Sequence, residues 1–169
     1  MARKPRDVDK GWDAFKKRIE SNKGRSFTKV GLPTGSTPAV VPGEKNGNKP
    51  FLDLVQIGAV HEFGAPKRKI PERSWLRSTT DEEQKNIAKM MSILYPKVIA
   101  GKMPLKTALG QIGEYLAGKM KNKIRNKIPP ENAPSTVARK KNKRHNDVPL
   151  IDTGQMVQSI THIEVIKGK

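Results

Sequence analysis

Apolar positions along the chain alternate between helical spacing, short alternating runs and stretches with no period at all. Val8, Trp12, Phe15 and Ile19 fall at steps of four, three and four, one stripe of a helix flanked by Lys10, Lys16, Lys17 and Arg18. Asp7 is placed to cap its start, and Gly24, after Ser21-Asn22-Lys23, to stop it. Phe27-Thr-Lys-Val30-Gly-Leu32 reads as a short strand. From position 33 to 50 the composition turns to Pro, Gly, Thr, Asn and Lys, which predicts a flexible loop. Leu54, Ile57 and His61, with Val55, Ala59 and Phe63 beside them, predict a short helix ending near Gly64. The segment from Ala65 to Arg77 carries Pro66 and Pro71, so it runs extended and delivers Trp75 and Leu76 to a core.

Thr80-Asp-Glu-Glu83 has the form of a capping box and predicts a helix start there, with Ile87, Met90, Met91, Leu94 and Val98 on one face. Pro96 should bend or end that helix, and Gly101 breaks it. Pro104 suits a first helical turn. Leu105, Leu109, Ile112, Leu116, Met120 and Ile124 then form the most regular stripe of the chain, predicting a helix over 104–127 that ends at Pro129-Pro130. Residues 131–148 read as a second mobile loop, and the chain continues through Asp152-Thr-Gly154 to a strand over 160–166. The expectation is one structural domain over 1–169, of α+β class. In it, the long amphipathic helix packs its Leu109-Ile112-Leu116 face on a small sheet of the 26–32 and 160–166 segments, with further helices and long flexible loops around it.

Charge changes this picture more than composition does. The chain of 169 residues carries 34 Lys plus Arg against 16 Asp plus Glu, a net charge of +18, and only 5% of its residues are aromatic. Such an excess concerns partners: a polyanion or an acidic protein surface. The run Arg139, Lys140, Lys141, Lys143 and Arg144 is the densest candidate contact, for DNA or for a protein neighbour. Base-specific readout is not expected, since no recognition-helix motif is visible. There is no cysteine, so thiolate chemistry, disulfides and Cys-ligated zinc are excluded. No apolar run is long enough for a membrane span, and a soluble protein without a secretory signal is expected.

Candidate chemistry is thin. Asp152-Thr153-Gly154 after an apolar run is how aspartic proteases present a carboxylate, but the flap and β-domain such an enzyme needs have no room in the 15 residues that follow. Asp152 is read instead as an N-cap, with Gln155 three residues on. His61-Glu62 begins a zinc-protease pattern whose second His would fall at position 65, which is Ala65. No catalytic residue, metal or cofactor is assigned, and the expectation is a protein that is not an enzyme.

Three strings in order, Ala59-Val-His-Glu-Phe-Gly64, Ile70-Pro-Glu-Arg-Ser-Trp-Leu-Arg77 and Pro149-Leu-Ile-Asp-Thr-Gly-Gln-Met-Val-Gln-Ser-Ile160, resemble the virion-morphogenesis, or tail-completion, proteins of tailed bacteriophages. Ala133-Pro-Ser-Thr-Val-Ala-Arg-Lys140 resembles the loop string of that family, and Ser74-Trp75 departs from its commoner Pro-Phe. The resemblance covers about residues 51–166. It implies a structural virion protein, made in the host cytoplasm, that assembles as a homo-oligomeric ring, six-fold or twelve-fold, at the neck or upper tail. Such a ring joins the head-side connector to the tail, with double-stranded DNA passing through its lumen, and has no membrane contact. It also implies that His61, Glu62, Phe63 and Gly64, with Trp75 and Leu76, and Asp152, Thr153 and Gly154, are packing and capping elements. The second reading, carried by charge alone, is a basic protein that binds nucleic acid without sequence preference.

Overall fold

The computed structural model describes residues 11–21, 24–34, 53–140 and 147–167. Its elements in chain order are α1 (Trp12–Ser21), β1 (Phe27–Gly31), α2 (Leu54–Phe63), a 3₁₀ turn (Pro66–Arg68), α3 (Arg77–Ile99), α4 (Leu105–Arg125), α5 (Pro134–Arg139), α6 (Gln155–Ser159) and β2 (Thr161–Val165). This is the α+β class expected, helices around one small antiparallel sheet.

The central element is α4. Pro104 sits at its N-cap with φ −65, and Ala108, Ile112, Leu116, Met120 and Ile124 are buried along it at four-residue steps. The N-terminal half of this stripe meets Leu94 and Val98 of α3, with Met90, Met103 and Leu105 packed at the edge. The C-terminal half joins the larger core of Leu54, Trp75, Ile151, Met156, Val157 and Ile160. Polar ties reinforce the α3–α4 contact: the Tyr115 hydroxyl donates to Glu83 at 2.6 Å, and the Lys119 ammonium lies 2.9 Å from the same carboxylate. Lys123 likewise pairs with Glu82. The lysines crowded into the last turns of α4 therefore face acids on a neighbour as well as the negative end of their own helix.

The sheet meets α4 at Gly110 and Gly113, to one side of the expected Leu109-Ile112-Leu116 face, of which Leu116 shares a core cluster with Val30 of β1. β1 and β2 pair antiparallel with Thr28 opposite Glu164 and Val30 opposite His162. A Cβ on Gly113 would lie 2.6 Å from the Thr28 hydroxyl and 2.8 Å from the His162 Cβ, and one on Gly110 would lie 2.7 Å from a Glu164 oxygen. Two glycines thus let the strands approach the helix backbone closely. Ile112 is directed to the α3 cluster and Leu109 is only half-buried.

Several expectations are corrected. α3 begins at Arg77, three residues before Thr80, and Thr80 back-bonds its hydroxyl to the Leu76 carbonyl at 2.8 Å, inside the helix and not capping it. Pro96 lies within the last turns of α3, and the expected break at Gly101 is found, the helix ending at Ile99 with Gly101 at φ 73. Met91 points off the buried stripe and is 51% exposed. Trp12 is 59% exposed and stacks on Phe15, so the α1 stripe is covered only in part. The 131–148 segment is not all loop, because Pro134 opens α5, with its missing N–H at a position where none is needed. Asp7, Val8, the residues after Ser21 through Lys23, and most of the 33–50 loop lie outside the described residues. Among the described residues no helix is long and apolar enough to cross a membrane.

The close approach of sheet to helix predicts opposite outcomes for two glycines of α4. Alanine is favoured over glycine in a helix interior by about 1 kcal/mol. Gly118 has nothing within 4 Å of an added Cβ, so Gly118→Ala should raise the melting temperature. Gly113→Ala should lower it, with a net loss of about 1–2 kcal/mol from overpacking, as read by thermal denaturation of the paired variants.

Candidate functional site

The strings singled out in the sequence converge on one region, organised by the Glu62 carboxylate. Glu62 is the penultimate residue of α2 and only 3% exposed. Its oxygens accept the backbone N–H groups of Leu76 at 2.9 Å and Arg77 at 3.0 Å, the Ser74 hydroxyl at 2.8 Å and the Arg77 Nε at 3.0 Å. The first amides of α3 have no partner within their own helix, and a carboxylate from α2 supplies it across the positive helix end. Ser74 extends the cap by accepting the Ser78 N–H at 3.2 Å. Burial pushes the Glu62 carboxyl up, but these four hydrogen bonds outweigh it and hold the group below its ordinary pKa.

Around this cap the other motif residues have definite places. Gly64 ends α2 at φ 73, and a Cβ there would stand 2.9 Å from the Glu72 amide nitrogen, so the turn requires glycine. Phe63 is exposed, with the Arg77 guanidinium 4.6 Å above its ring. Trp75 is buried and donates its indole N–H to the Gly58 carbonyl at 3.2 Å, as the extended approach through Pro71 predicts; Leu76 beside it is half-buried.

On the other side of α2, a cavity of about 250 Å³ gathers His61, Arg73, Asn132, Arg139, Lys140 and Asp152. Arg73 is 6% exposed and donates Nε to the Pro130 carbonyl at 2.7 Å and Nη2 to the Glu131 carbonyl at 2.9 Å. Burial pushes the His61 imidazole below its ordinary pKa, and the charges of Arg73 and Lys140 push it further. Apolar side chains, among them Leu54, Ile57, Leu150 and Met156, complete the wall. Leu150 holds φ 63, a left-handed conformation that a bulky residue adopts at some cost.

The basic-run expectation is corrected at Lys140. That residue is 6% exposed, and its ammonium donates to the Val148 carbonyl at 3.2 Å and to that of Ile151, pinning α5 to the turn before α6. It is an internal strut, not a contact offered to DNA or a neighbour. Arg139, one residue earlier, is exposed at the cavity. Lys141, Lys143 and Arg144 lie outside the described residues. The Asp152 cap is also corrected: Gly154, at φ 80, occupies the N-cap position of α6, and the Gln155 N–H is accepted by the Thr153 hydroxyl at 3.3 Å. Asp152 and Thr153 are exposed. Arg73, Arg77 and Asn132 carry much of the region's chemistry and were not singled out as site residues from the sequence. Arg73 binds carbonyls 57 and 58 residues away, Arg77 binds the Glu62 carboxylate 15 residues away as well as nearby Glu72, and the Asn132 side-chain nitrogen has no partner among the described residues, so local spacing does not mark these roles.

A second surface lies on the sheet. Alternation turns Thr28, Val30, His162 and Glu164 toward the helix side and places Phe27, Lys29, Ile163 and Val165 on the opposite face. The cross-strand pairs on that outer face are Phe27 with Val165 and Lys29 with Ile163. Phe27 is 37% and Ile163 55% exposed, and Ile166, just past the strand, is exposed as well. The ordinary pattern, apolar inward and polar outward, is reversed in part, with polar Thr28, His162 and Glu164 on the helix and apolar side chains outside. Among the described residues neither strand has a further partner, so each presents one open edge.

Among the described residues no cluster of three or more His, Asp or Glu is placed to hold a metal ion. No family model, curated protein or solved structure matches this chain.

The Glu62 cap predicts an acid-sensitive fold. A carboxyl whose folded pKa is depressed contributes stability above its unfolded pKa and loses it as pH falls through the folded value. Glu62 lies below its ordinary 4.5, and Glu83, held by hydrogen bonds from Tyr115, Asn86 and Lys119, lies at about 2, so stability should fall as pH drops from near 4.5 toward 2. Glu62→Gln keeps an acceptor but loses the charge and should cost about 2–3 kcal/mol at pH 7 while flattening part of the acid slope in urea melts.

Proposed function

We propose that this chain is a structural subunit that assembles side by side with copies of itself, as a ring component of the neck or upper tail of a tailed bacteriophage. The observation that carries the reading is the sheet with its apolar face turned outward. Phe27 and Ile163 are exposed on a sheet whose two strands have no further partner among the described residues, with Ile166 exposed just past it, a surface that a neighbouring subunit would cover. A face distinct from its own complement generates a ring when repeated by rotation. Met91, Ile93 and Tyr95 on α3 and Trp12 on α1 add further exposed apolar side chains of the kind subunit contacts bury. The resemblance of the His61–Gly64, Ile70–Arg77 and Pro149–Ile160 strings to tail-completion proteins directs the reading toward the virion.

The net charge of +18 suits a ring around a DNA path, and the same charge favours the second reading, a basic protein that binds nucleic acid without sequence preference.

Ile163→Glu tests the assembly. The wild-type chain should populate a defined higher oligomer in native mass spectrometry, and the variant should shift to monomer with unchanged far-ultraviolet dichroism, since a charge on an exposed face contributes little to the fold. A wild-type chain that stays monomeric at high concentration, yet binds duplex DNA with log affinity falling linearly in log salt, would move the reading to the nucleic-acid protein.

A further inference from the structure

We infer that the cavity lined by His61, Arg73, Asn132 and Arg139 is a receptor for an aliphatic carboxylate, a ligand with one anionic end and a hydrocarbon stem. The inference goes beyond the assembly reading and does not depend on it, since a chain that stays monomeric would still present the cavity.

Charge selects the anionic end. Arg73, Arg139 and Lys140 stand on the wall against one acid, Asp152, which is exposed. Arg73 forms no ion pair among the described residues; two backbone carbonyls fix its guanidinium in place, so its charge is oriented before any ligand arrives. Hydrogen bonding points the same way. His61 Nδ1 and the Asn132 side-chain nitrogen are closed off from solvent and have no hydrogen-bond partner among the described residues, and each residue lines the cavity. A buried polar atom left unpartnered costs about 1–3 kcal/mol, so two on one wall mark groups that a ligand oxygen would satisfy after a small side-chain rotation. The strained Leu150 backbone sits on the same wall.

The apolar part of the wall, which stands beside the polar Thr136, Thr153 and Gln155, selects the stem. Leu54, Ile57, Leu150 and Met156 offer no donors, so a phosphate, with oxygens on every side, would leave some of them facing apolar carbon. A carboxylate has two oxygens on one side and carbon on the other. The volume of about 250 Å³ accommodates such a group with several methylenes. A free fatty or keto acid and an acidic side chain of a docking polypeptide share this chemistry.

The histidine supplies the readout. The charged groups that share its cavity are Arg73 and Lys140, which disfavour the imidazolium, with Arg139 and Asp152. A carboxylate bound among them should raise the His61 pKa, visible in the imidazole resonances of the full chain, while His145 and His162 stay unchanged. Acetate, butyrate, hexanoate, acetyl-glutamate N-methylamide and inorganic phosphate are titrated at constant ionic strength. Affinity should tighten by up to about fourfold for each methylene that enters the cavity, and phosphate should bind no better than acetate. Asn132→Leu, which removes the donor and keeps the volume, should weaken hexanoate about tenfold with the melting temperature retained. Acetyl-glutamate N-methylamide binding as tightly as butyrate would assign the ligand to a polypeptide side chain, and weaker binding would assign it to a free acid. No response of His61 to hexanoate, equal affinity for acetate and hexanoate, or a preference for phosphate would overturn the inference.

Discussion

Between the end of α2 and the start of α3, the Glu62 carboxylate gathers two backbone amides, a hydroxyl and a guanidinium. These donors belong to Ser74, Leu76 and Arg77, which flank Trp75, so the path of the extended segment, the first turn of α3 and the direction in which Trp75 enters the core are set together. Breaking one bond would leave the others without their geometry, and a helix end buried without its cap is costly. Trp75, reaching back to the Gly58 carbonyl, then holds α2 against the larger core. The position of α2 relative to α3, and with it the wall of the cavity that includes both His61 and Arg73, follows from this one acid.

Local periodicity made the elements legible and left their partners obscure. The α4 stripe, the 27–32 strand, the short helix ending at Phe63 and the strand near the chain's far end all follow from spacing that a helix or strand imposes by itself. The start of α3 did not follow, because Thr80-Asp-Glu-Glu83 satisfies a local rule while the true cap comes from a residue 15 positions before Arg77. Lys140 illustrates the same limit. In a basic run it reads as solvated charge, and only the turn that follows, folded back over α5, brings the carbonyls of Val148 and Ile151 to its ammonium. The glycines of α4 look like weak points of a helix until β1 and β2 are laid on them. Of the candidate site, His61, Arg139 and the 152–154 turn were visible as motif residues; Arg73 and Asn132 were not, since their roles are made by contacts distant in sequence or by the absence of one.

The two surfaces differ in shape and chemistry. The outer sheet face is shallow and apolar with backbone edges at its margins, suited to a flat neighbour and a register of main-chain bonds. The cavity is recessed and cationic with an apolar lining, suited to a single inserted group. Under the two proposals above, a chain bearing both would be held broadly through one surface and addressed specifically through the other, which would separate the strength of an assembly from its selectivity.

The strands that form the outer face lie far apart in the chain, β1 at Phe27–Gly31 and β2 at Thr161–Val165. During synthesis β1 leaves the ribosome with no partner, while α3 and α4, adjacent in the chain, can already pack on each other. The outer sheet face therefore comes into existence only after β2 has emerged and docked on the glycines of α4. A nascent or truncated chain lacking β2 presents no such surface, so in the assembly proposed above the order of translation itself would keep unfinished subunits out.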